Sequence, residues 1–254
     1  MISRYEVSLN DVPLGNISPY ILILDVRYTP PAISNETYTV AKRHGARIHR
    51  RYVDKSTVTI DFVIRAYDIR HRQEICNRIV KWAKNGGVLW VNDRPGQRLR
   101  CVCDSFPVIM SALKWTDKLS IAFSAYALPF WEEVLPASLK LTGTSAKGSL
   151  YVPGDVDGAM IEATVKADAS LSNITLAANN RLLTLSRLSV AAGQTITVTY
   201  DDEMIQSIKV GSTSLLDKRT GADDLLANCG ENNALSVSAN APVTVTFKVR
   251  GLWL

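Results

Sequence analysis

Four cysteines and three histidines are the side chains in this sequence best suited to nucleophilic or metal chemistry. They are Cys76, Cys101, Cys103 and Cys229, and His44, His49 and His71. No two cysteines have CxxC spacing, and no cysteine stands within metal-ligand spacing of a histidine. Cys101 and Cys103 point the same way on one predicted strand, so a disulfide between them would have poor geometry. The sequence therefore predicts free thiols, no metal site and no cofactor.

Catalytic signatures are also missing from the sequence. It contains no GxSxG nucleophile elbow, no HExxH pair and no GxxxxGK[ST] phosphate loop. Its histidines lie in or beside basic stretches rather than near a nucleophile motif. A triad assembled only in space leaves no such signature, but on these grounds we predict that the protein is not an enzyme.

Basic side chains are concentrated between residues 42 and 51. This cluster lies within the segment 32–55, which shows little periodicity and is expected to be mobile or ordered by a partner. Three interpretations remain open: a solvated loop, an arm that contacts a neighbouring subunit, or a contact with DNA. The candidate subunit-interface residues are Lys42, Arg43, Arg47, Arg50 and Arg51 from the cluster, and Asp93, Arg94, Arg98 and Arg100 from a later hairpin.

The length and composition limit the class of protein. A chain of 254 residues can form two domains, each with its own core. The sequence contains no run of 18 or more apolar residues, so it predicts no membrane span. The charged Glu6 comes before any apolar region could form, so we expect no secretory signal peptide. We therefore expect assembly in a cytosol. A net charge of +5 is weak evidence for nucleic-acid binding.

The first half of the chain predicts strands around one amphipathic helix. Apolar residues alternate from Thr57 to Tyr67, which indicates a half-buried strand. A helix over about 68–85 should begin at Asp68, with a stop at Gly86 and Gly87. Its predicted apolar side carries Ile75, Cys76, Ile79, Val80, Trp82 and Ala83, and its polar side carries Arg72, Glu74, Arg78, Lys81 and Lys84.

A hairpin over about 88–104 is predicted after the helix, with a turn at Asn92-Asp93-Arg94-Pro95-Gly96. The corner Leu128-Pro129-Phe130-Trp131 then indicates the end of a core. We place the domain boundary after Glu133, with 135–147 as the crossing segment. The second half predicts seven short strands, typical of a sandwich or jelly roll: 161–165, 174–177, 182–185, 195–200, 205–210, 235–237 and 243–250.

The order of these motifs resembles the distal tail proteins of long-tailed bacteriophages. The resemblance rests on the strand, helix, glycine stop and hairpin, and on three further runs: Ala41-Lys42-Arg43-His44-Gly45, the corner Leu128-Pro129-Phe130-Trp131, and Gly230-Glu231-Asn232-Asn233 with the finish Arg250-Gly251-Leu252-Trp253-Leu254. It implies a mainly β fold. Residues 1–133 would form a ring-forming β-sandwich or barrel with one packed helix, and residues 134–254 a galectin-like jelly roll.

The resemblance also implies a structural function. The chain would form a hexameric ring that joins the tail tube to the tail hub and the host-adhesion apparatus. Its partners would be further copies of itself, the tail tube protein, the tail hub protein and a receptor-binding protein, and DNA would pass through the lumen without specific binding. The ring would lie at the virion tail tip after assembly in the host cytoplasm. A carbohydrate-binding adhesion module and a tail tube-like protein remain the alternatives.

Overall fold

A computed structural model describes residues 5–39, 46–107, 118–221 and 224–254. The chain divides into two compact units, Met1–Trp131 and Glu132–Leu254. Both are built mainly from antiparallel strands. Within the described ranges, no helix is long and apolar enough to span a membrane. Of the basic cluster, Lys42, Arg43 and His44 lie outside the described residues.

The first unit contains a sheet whose main path runs through seven strands, one long helix, and a separate pair of strands. Its elements are β1 (Val7–Leu9), β2 (Val12–Pro13), α1 (Leu14–Ile17), β3 (Ile21–Thr29), β4 (Ile33–Thr39), β5 (Ala46–Val53), β6 (Ser56–Ile64), α2 (Ile69–Ala83), β7 (Gly87–Val91), β8 (Gln97–Ser105) and β9 (Leu119–Ala125). Hydrogen bonds order the sheet as β2-β1-β7-β8-β9-β6-β3. β10 (Trp131–Glu133) lies at the division between the units.

The predicted packed helix is present as α2. Asp68 caps it by accepting a hydrogen bond from the backbone N–H of His71 at 2.6 Å. Beyond the helix, Gly86 has a positive φ of 63°, and a Cβ there would come within 2.3 Å of the Cys101 carbonyl oxygen. Glycine is therefore required both by the backbone conformation and by the close approach of β8.

The prediction that Arg72 lies on the polar side of α2 was wrong. This residue is only 7% exposed and lies among the buried residues of the helix. Position 72 precedes Ile75, Cys76 and Ile79 by three, four and seven residues, which places it on their face. Its long methylene stem can be buried on that face beside apolar neighbours.

The core of the first unit lies on one face of the sheet. Val58, Ile60 and Phe62 of β6 and Ile121 and Phe123 of β9 are at most 1% exposed. They recur every second residue, which is why the pattern predicted these strands.

Trp82 was predicted as a core residue, and it bridges the helix and the sheet while remaining partly exposed. Its ring lies edge-on to that of Phe123, with centroids 5.9 Å apart. Its Nε1 donates to the carbonyl oxygen of Val12 at 3.0 Å. The indole therefore packs its apolar body and satisfies its polar atom.

The opposite face of the sheet carries a fully buried carboxylate, Asp61. Lys118 Nζ lies 2.6 Å and Arg27 Nε 3.0 Å from its Oδ2, and Ser120 Oγ donates to its Oδ1 at 2.6 Å. Burial by itself would raise the pKa of Asp61, but the hydrogen bonds from Lys118, Ser120 and Arg27 outweigh it and hold the pKa below its ordinary value.

Asp61→Asn should lower the free energy of unfolding by about 1–2 kcal/mol at neutral pH, because both cations lose their carboxylate partner. The contribution of a carboxylate with a lowered folded-state pKa is complete above its ordinary pKa of about 4 and is lost as the pH falls through the folded-state value. The difference between wild type and variant should therefore shrink with acidification, which urea unfolding at a series of pH values would measure. Asp217→Asn is the control, because Asp217 is 67% exposed and pairs only with Lys218 among the ion pairs of the described residues. A difference for Asp61→Asn that grew at low pH would contradict this assignment.

The second unit is built almost entirely of strands. They are β11 (Ala137–Val152), β12 (Ala159–Ala167), β13 (Ile174–Ala178), β14 (Arg181–Leu185), β15 (Thr195–Tyr200), β16 (Gln206–Val210), β17 (Thr213–Ser214), β18 (Arg219–Thr220), β19 (Leu226–Ala227), β20 (Glu231–Val249) and β21 (Leu252–Trp253), with a 3-10 turn at Leu216–Lys218. Hydrogen bonds order the main path of the sheet as β17-β16-β15-β12-β20-β13-β14-β18. In addition, β11 pairs with β20 and β19 pairs with β12. Strands overlap all seven predicted segments.

Two long strands, β11 and β20, organise the second unit. Residues 235–239 of β20 pair with β13, whereas residues 243–249 pair with β12. β11 follows β20 along both parts, with a register shift between Gly143 and Ser145. The prediction that 135–147 is a segment crossing between the domains was therefore wrong, because most of it lies in β11. Its serine, threonine, glycine and lysine residues suit an edge strand that is largely exposed.

Asn233, at the start of β20, is a buried hydrogen-bond hub that is 1% exposed. Its Nδ2 donates to the carbonyl oxygens of Asn228 at 2.9 Å and Glu231 at 3.2 Å. Its Oδ1 accepts from the backbone N–H of Asn228 and from Asn179 Nδ2, both at 2.8 Å. One side chain thus joins the turn after β13 to the loop before β20.

Candidate subunit interface

The strands β4 and β5 form a ribbon that we call the arm. Within the described residues these strands pair only with each other. Where the arm joins the unit, the backbone N–H of Asp54 donates to the carbonyl oxygen of Ala32 at 2.8 Å. The sequence shows little periodicity here and predicted a segment that is mobile or ordered by a partner; the structure shows two paired strands. A register shift between Glu36 and Thr37 interrupts the alternation, and neither face of the arm is buried, so the usual period of a half-buried strand is missing.

One face of the arm carries aliphatic side chains. Ile33 is opposite Val53, and Ile48 is opposite Thr37 two pairs further along the same face. Ile33, Ile48 and Val53 are 54%, 61% and 47% exposed. Asn35 and Arg51 form the pair between them. We call this the aliphatic face.

The other face combines aromatic and basic side chains. It carries Tyr38 opposite Arg47, Glu36 opposite Arg50, Ser34 opposite Tyr52, and His49 at the register shift. The rings of Tyr38 and His49 meet edge-on with centroids 6.1 Å apart. Arg47 and Arg50 are exposed, and Glu36 is the acidic residue of this face. The face is therefore net positive.

A partner surface would stabilise the arm substantially. A two-stranded ribbon is marginal by itself in water, because it buries too little to offset chain entropy. Covering the aliphatic face would contribute about 1.5–3 kcal/mol for each fully buried side chain. Tyrosine and arginine, which occupy the opposite face, are also the residues enriched at interface hot spots. The arrangement is suited to binding another protein surface.

The structure places Asp93 and Arg94 in a cluster within the first unit. Tyr28 Oη donates to Asp93 Oδ1 at 2.5 Å, and the Arg94 guanidinium lies 4.9 Å from the Tyr28 ring centroid and 5.1 Å from that of Trp131. Burial raises the pKa of Tyr28, and the hydrogen bond to Asp93 raises it further. Both candidates therefore have contacts in their own subunit, and their interface role stays a prediction.

The remaining candidates divide between the arm and β8. Arg47, Arg50 and Arg51 come together on the arm, whereas Arg98 and Arg100 flank the buried Leu99 on β8 and are partly exposed. Lys42 and Arg43 lie outside the described residues.

The sequence analysis did not identify the aliphatic face, because its residues do not alternate regularly along the chain. Three β-branched residues, Ile33, Ile48 and Val53, were the available signal.

Metal binding and cysteine chemistry have little support among the described residues. Over the described ranges, no three His, Cys, Asp or Glu residues lie close enough together to hold a metal ion. The four cysteines are free, and burial raises the pKa of Cys101 to about 12, with a further rise from neighbouring Cys103. The Cys101 thiol is therefore protonated and unreactive at neutral pH.

Known proteins resemble this chain in structure rather than in sequence. No family model and no curated protein matches the sequence. Among solved structures, the Dit protein (gp 19.1) of phage SPP1, described as a paradigm of the hub adsorption apparatus in phages that infect Gram-positive bacteria, superposes with a TM-score of 0.69 at 13% identity, over 97% of this chain and 98% of that one. A chain of the phage P2 baseplate in its activated conformation with Ca gives 0.51 at 7% identity, over 99% and 98%. The expected mainly β fold with one packed helix is confirmed, and over nearly its whole length this chain has the fold of the SPP1 Dit protein.

Proposed function

We propose that this protein is a distal tail protein, a structural component of the tail tip of a long-tailed bacteriophage. The observation that carries the proposal is the likeness to the SPP1 Dit protein across both units. A fold alone does not assign a function, because one fold can host several. The exposed aliphatic face of the arm supplies independent support, since burying it against another protein surface would stabilise the arm.

The proposed mechanism is assembly of a homohexameric ring between the tail tube and the tail hub. The arm of each copy would lie on the first unit of the next, which is a heterologous contact that closes a ring after a fixed number of copies. The aliphatic face would be buried in this contact. Arg47, Arg50 and Arg51 would pair with carboxylates on the neighbour or at its rim.

The second unit, as a galectin-like domain, would lie outside the ring and face a receptor-binding or baseplate protein. The lumen would pass DNA without holding it, because a channel that binds phosphates tightly would slow DNA transit. Assembly would take place in the host cytoplasm, and the final location would be the virion tail tip.

Native mass measurement tests the ring and the arm together. Six copies of the 27.9 kDa chain should give a particle of about 167 kDa, and the particle should persist at about 0.5 M salt without retained DNA. Ile48→Asp should shift the mass toward the monomer, because it places a charge in the buried aliphatic contact. Leu182→Asp is the matched control, since Leu182 is a 54% exposed apolar strand residue of the second unit.

Three outcomes of this experiment would count against the proposal. If the Ile48→Asp variant still formed a hexamer, the arm would not be part of the interface. A wild-type chain that stays monomeric with the tube and hub proteins present, and that binds glycans, would favour the adhesion module. Rings that stack into long tubes would favour a tail tube-like protein.

A further inference from the structure

The second unit has a broad outer face on which strand register arranges lysine and threonine side chains in rows. The middle row crosses β11, β20, β12, β15 and β16 as Lys140, Thr246, Thr164, Thr197 and Lys209, each directly opposite the next. Neighbouring strands lie about 4.8 Å apart, so the Cα atoms of the two lysines are roughly 19 Å from each other. We call the outward positions within 138–142, 244–248, 162–166, 195–199 and 207–209 the lysine-threonine face.

Two further lysines lie on the rows that flank the middle one. Lys248 of β20 is opposite Glu162 of β12, and Lys166 of β12 is opposite Thr195 of β15. Each row is two residues, or about 7 Å, from the next along the strands. Apart from Glu162, every other outward position of the face is serine or threonine. The face therefore presents four ammonium groups among hydroxyls, and none of its side chains is aliphatic or aromatic.

The inward side of the same strands fixes the position of this face. Val165, Val198, Val245 and Phe247 point inward from β12, β15 and β20 and are at most 1% exposed. Because side chains alternate along a strand, this packed core sets where the outward residues stand. The face therefore loses little backbone freedom when it binds a ligand.

Positive charge dominates the face after its acids are counted. All four lysines are exposed, and none takes part in an ion pair among the described residues. Glu162 lies between them, and Asp168 follows β12, where its Oδ2 accepts a hydrogen bond from Thr244 Oγ1 at 3.3 Å. Four lysines against these two acids leave a net charge of +2. The acidic turn 201–203 begins four residues beyond Thr197, roughly 13 Å from the middle row, which exceeds the Debye length of about 8 Å.

The composition of the face is unsuited to a protein or a nucleic acid. Hot spots of protein interfaces are enriched in tryptophan, tyrosine and arginine, and interface cores are depleted of lysine and serine. Single-stranded nucleic acids stack their bases on aromatic rings, which the face lacks. A DNA duplex is stiff over about 150 base pairs and would touch a broad sheet along one narrow line, whereas the lysines are spread over three rows.

A thin, flexible chain of phosphodiesters matches the arrangement better. Lysine binds phosphate as a compact point charge, and serine and threonine hydroxyls donate to phosphate oxygens. Arginine, whose planar fork matches a carboxylate best, is missing from the face. Because a hydroxyl both donates and accepts, the threonines can bond to the alcohol groups of a polyol as well as to phosphate.

We propose that the lysine-threonine face binds a poly(glycerol phosphate) chain. The chain would cross the strands along the middle row, with its phosphates paired to Lys140 and Lys209 at the two ends. Lys166 and Lys248 would bind phosphates where the chain bends toward the flanking rows, and the threonines would bond to the glycerol units. This site goes beyond the proposed structural function, and it does not depend on ring formation.

The test is calorimetric titration of the full chain with a synthetic decamer of glycerol phosphate. The wild type should bind it with an affinity that falls as salt is raised, and should not bind uncharged decaglycerol. Lys140→Gln combined with Lys209→Gln should weaken binding at least tenfold. The double variant should also reduce the slope of log affinity against log salt by about 1.4, because two phosphate contacts are lost. Thr164→Val keeps the β-branched shape but removes an exposed hydroxyl, and it should weaken binding at least twofold.

The control combines Lys147→Gln with Arg181→Gln, which removes the same charge from exposed positions outside the face. It should bind the decamer like the wild type. No binding at millimolar phosphate, unchanged affinity in the Lys140 and Lys209 double variant, or an equal loss in the control would overturn the proposal.

Other ligands and the ring are separated by further arms of the experiment. Equal binding of polyglutamate or of a DNA duplex at the same charge concentration would overturn the assignment to glycerol phosphate. Binding to phosphatidylglycerol vesicles without binding to the soluble decamer would assign the face to a membrane surface instead. A native mass lowered in the Lys140 and Lys209 double variant would make the face a subunit contact and overturn the site, whereas failure of the Ile48→Asp test leaves it unaffected.

Discussion

Replacing Ile79 with aspartate should destabilise the first unit by about 4 kcal/mol or more. Ile79 has no exposed surface and lies on the face of α2 that packs against the sheet. The substitution removes a buried aliphatic side chain, which alone costs about 2–5 kcal/mol, and it buries a carboxylate that has no countercharge built for it. Urea unfolding followed by tryptophan fluorescence would measure the loss, since four of the five tryptophans precede residue 132.

Asn77→Asp is the matched control for this substitution. It introduces the same charge two residues away on the exposed side of α2. Its effect should stay within about 0.5 kcal/mol. If Ile79→Asp melted at the wild-type temperature, α2 would have no packing role, and the fold described for the first unit would be incorrect.

Replacing Asn233 with leucine should destabilise the second unit by about 2–4 kcal/mol. Leucine has the same branched shape and number of heavy atoms as asparagine but is larger and apolar, so the partners of the amide lose their hydrogen bonds. The backbone N–H of Asn228 and the Nδ2 of Asn179 would lose an acceptor, and two carbonyl oxygens would lose a donor. Unpaired buried polar groups cost about 1–3 kcal/mol each, partly relieved where water can reach them.

Far-UV circular dichroism during thermal unfolding would report this change, because the second unit is almost wholly β. Asn232→Leu is the control, since Asn232 is the exposed neighbour of Asn233. Equal stability of the two variants would show that the hub contributes no more than a surface asparagine. Loss in Asn233→Leu alone would explain physically why an asparagine stands in the run Gly230-Glu231-Asn232-Asn233.

The two units pose different problems for assembly. The second is a strand sandwich whose long edge strand, β11, carries Lys140 and Lys147 along an unbonded side within the described residues. Charged lysines on an edge discourage pairing with other strands. The arm of the first unit has the opposite character, because it exposes aliphatic residues on two strands that, among the described residues, pair only with each other. The contrast favours the arm over β11 as the element that joins copies.

The sequence alone determined the parts of this protein that depend on local periodicity. The strands β6 and β9 and the helix α2 each place apolar residues at the spacing of their own backbone, and Asp68 and Gly86 mark helix ends by chemistry that acts within a few residues. The mainly β class and the resemblance to phage tail proteins followed from the order of these segments.

Only the tertiary structure decided the arrangements in which distant residues meet or no face is buried. The arm lacks the regular alternation of a half-buried strand because a register shift interrupts it and neither face of its described residues is buried. The contact between Asn179 and Asn233 in the hub joins residues 54 positions apart, and the Tyr28–Asp93 contact joins residues 65 positions apart. Arg72 was assigned to the polar side of α2 because of its charge. In the structure it packs with the buried residues of the helix, as its spacing from Ile75, Cys76 and Ile79 requires. Such contacts depend on chain segments that folding brings together, and neither periodicity nor capping chemistry carries information over that distance.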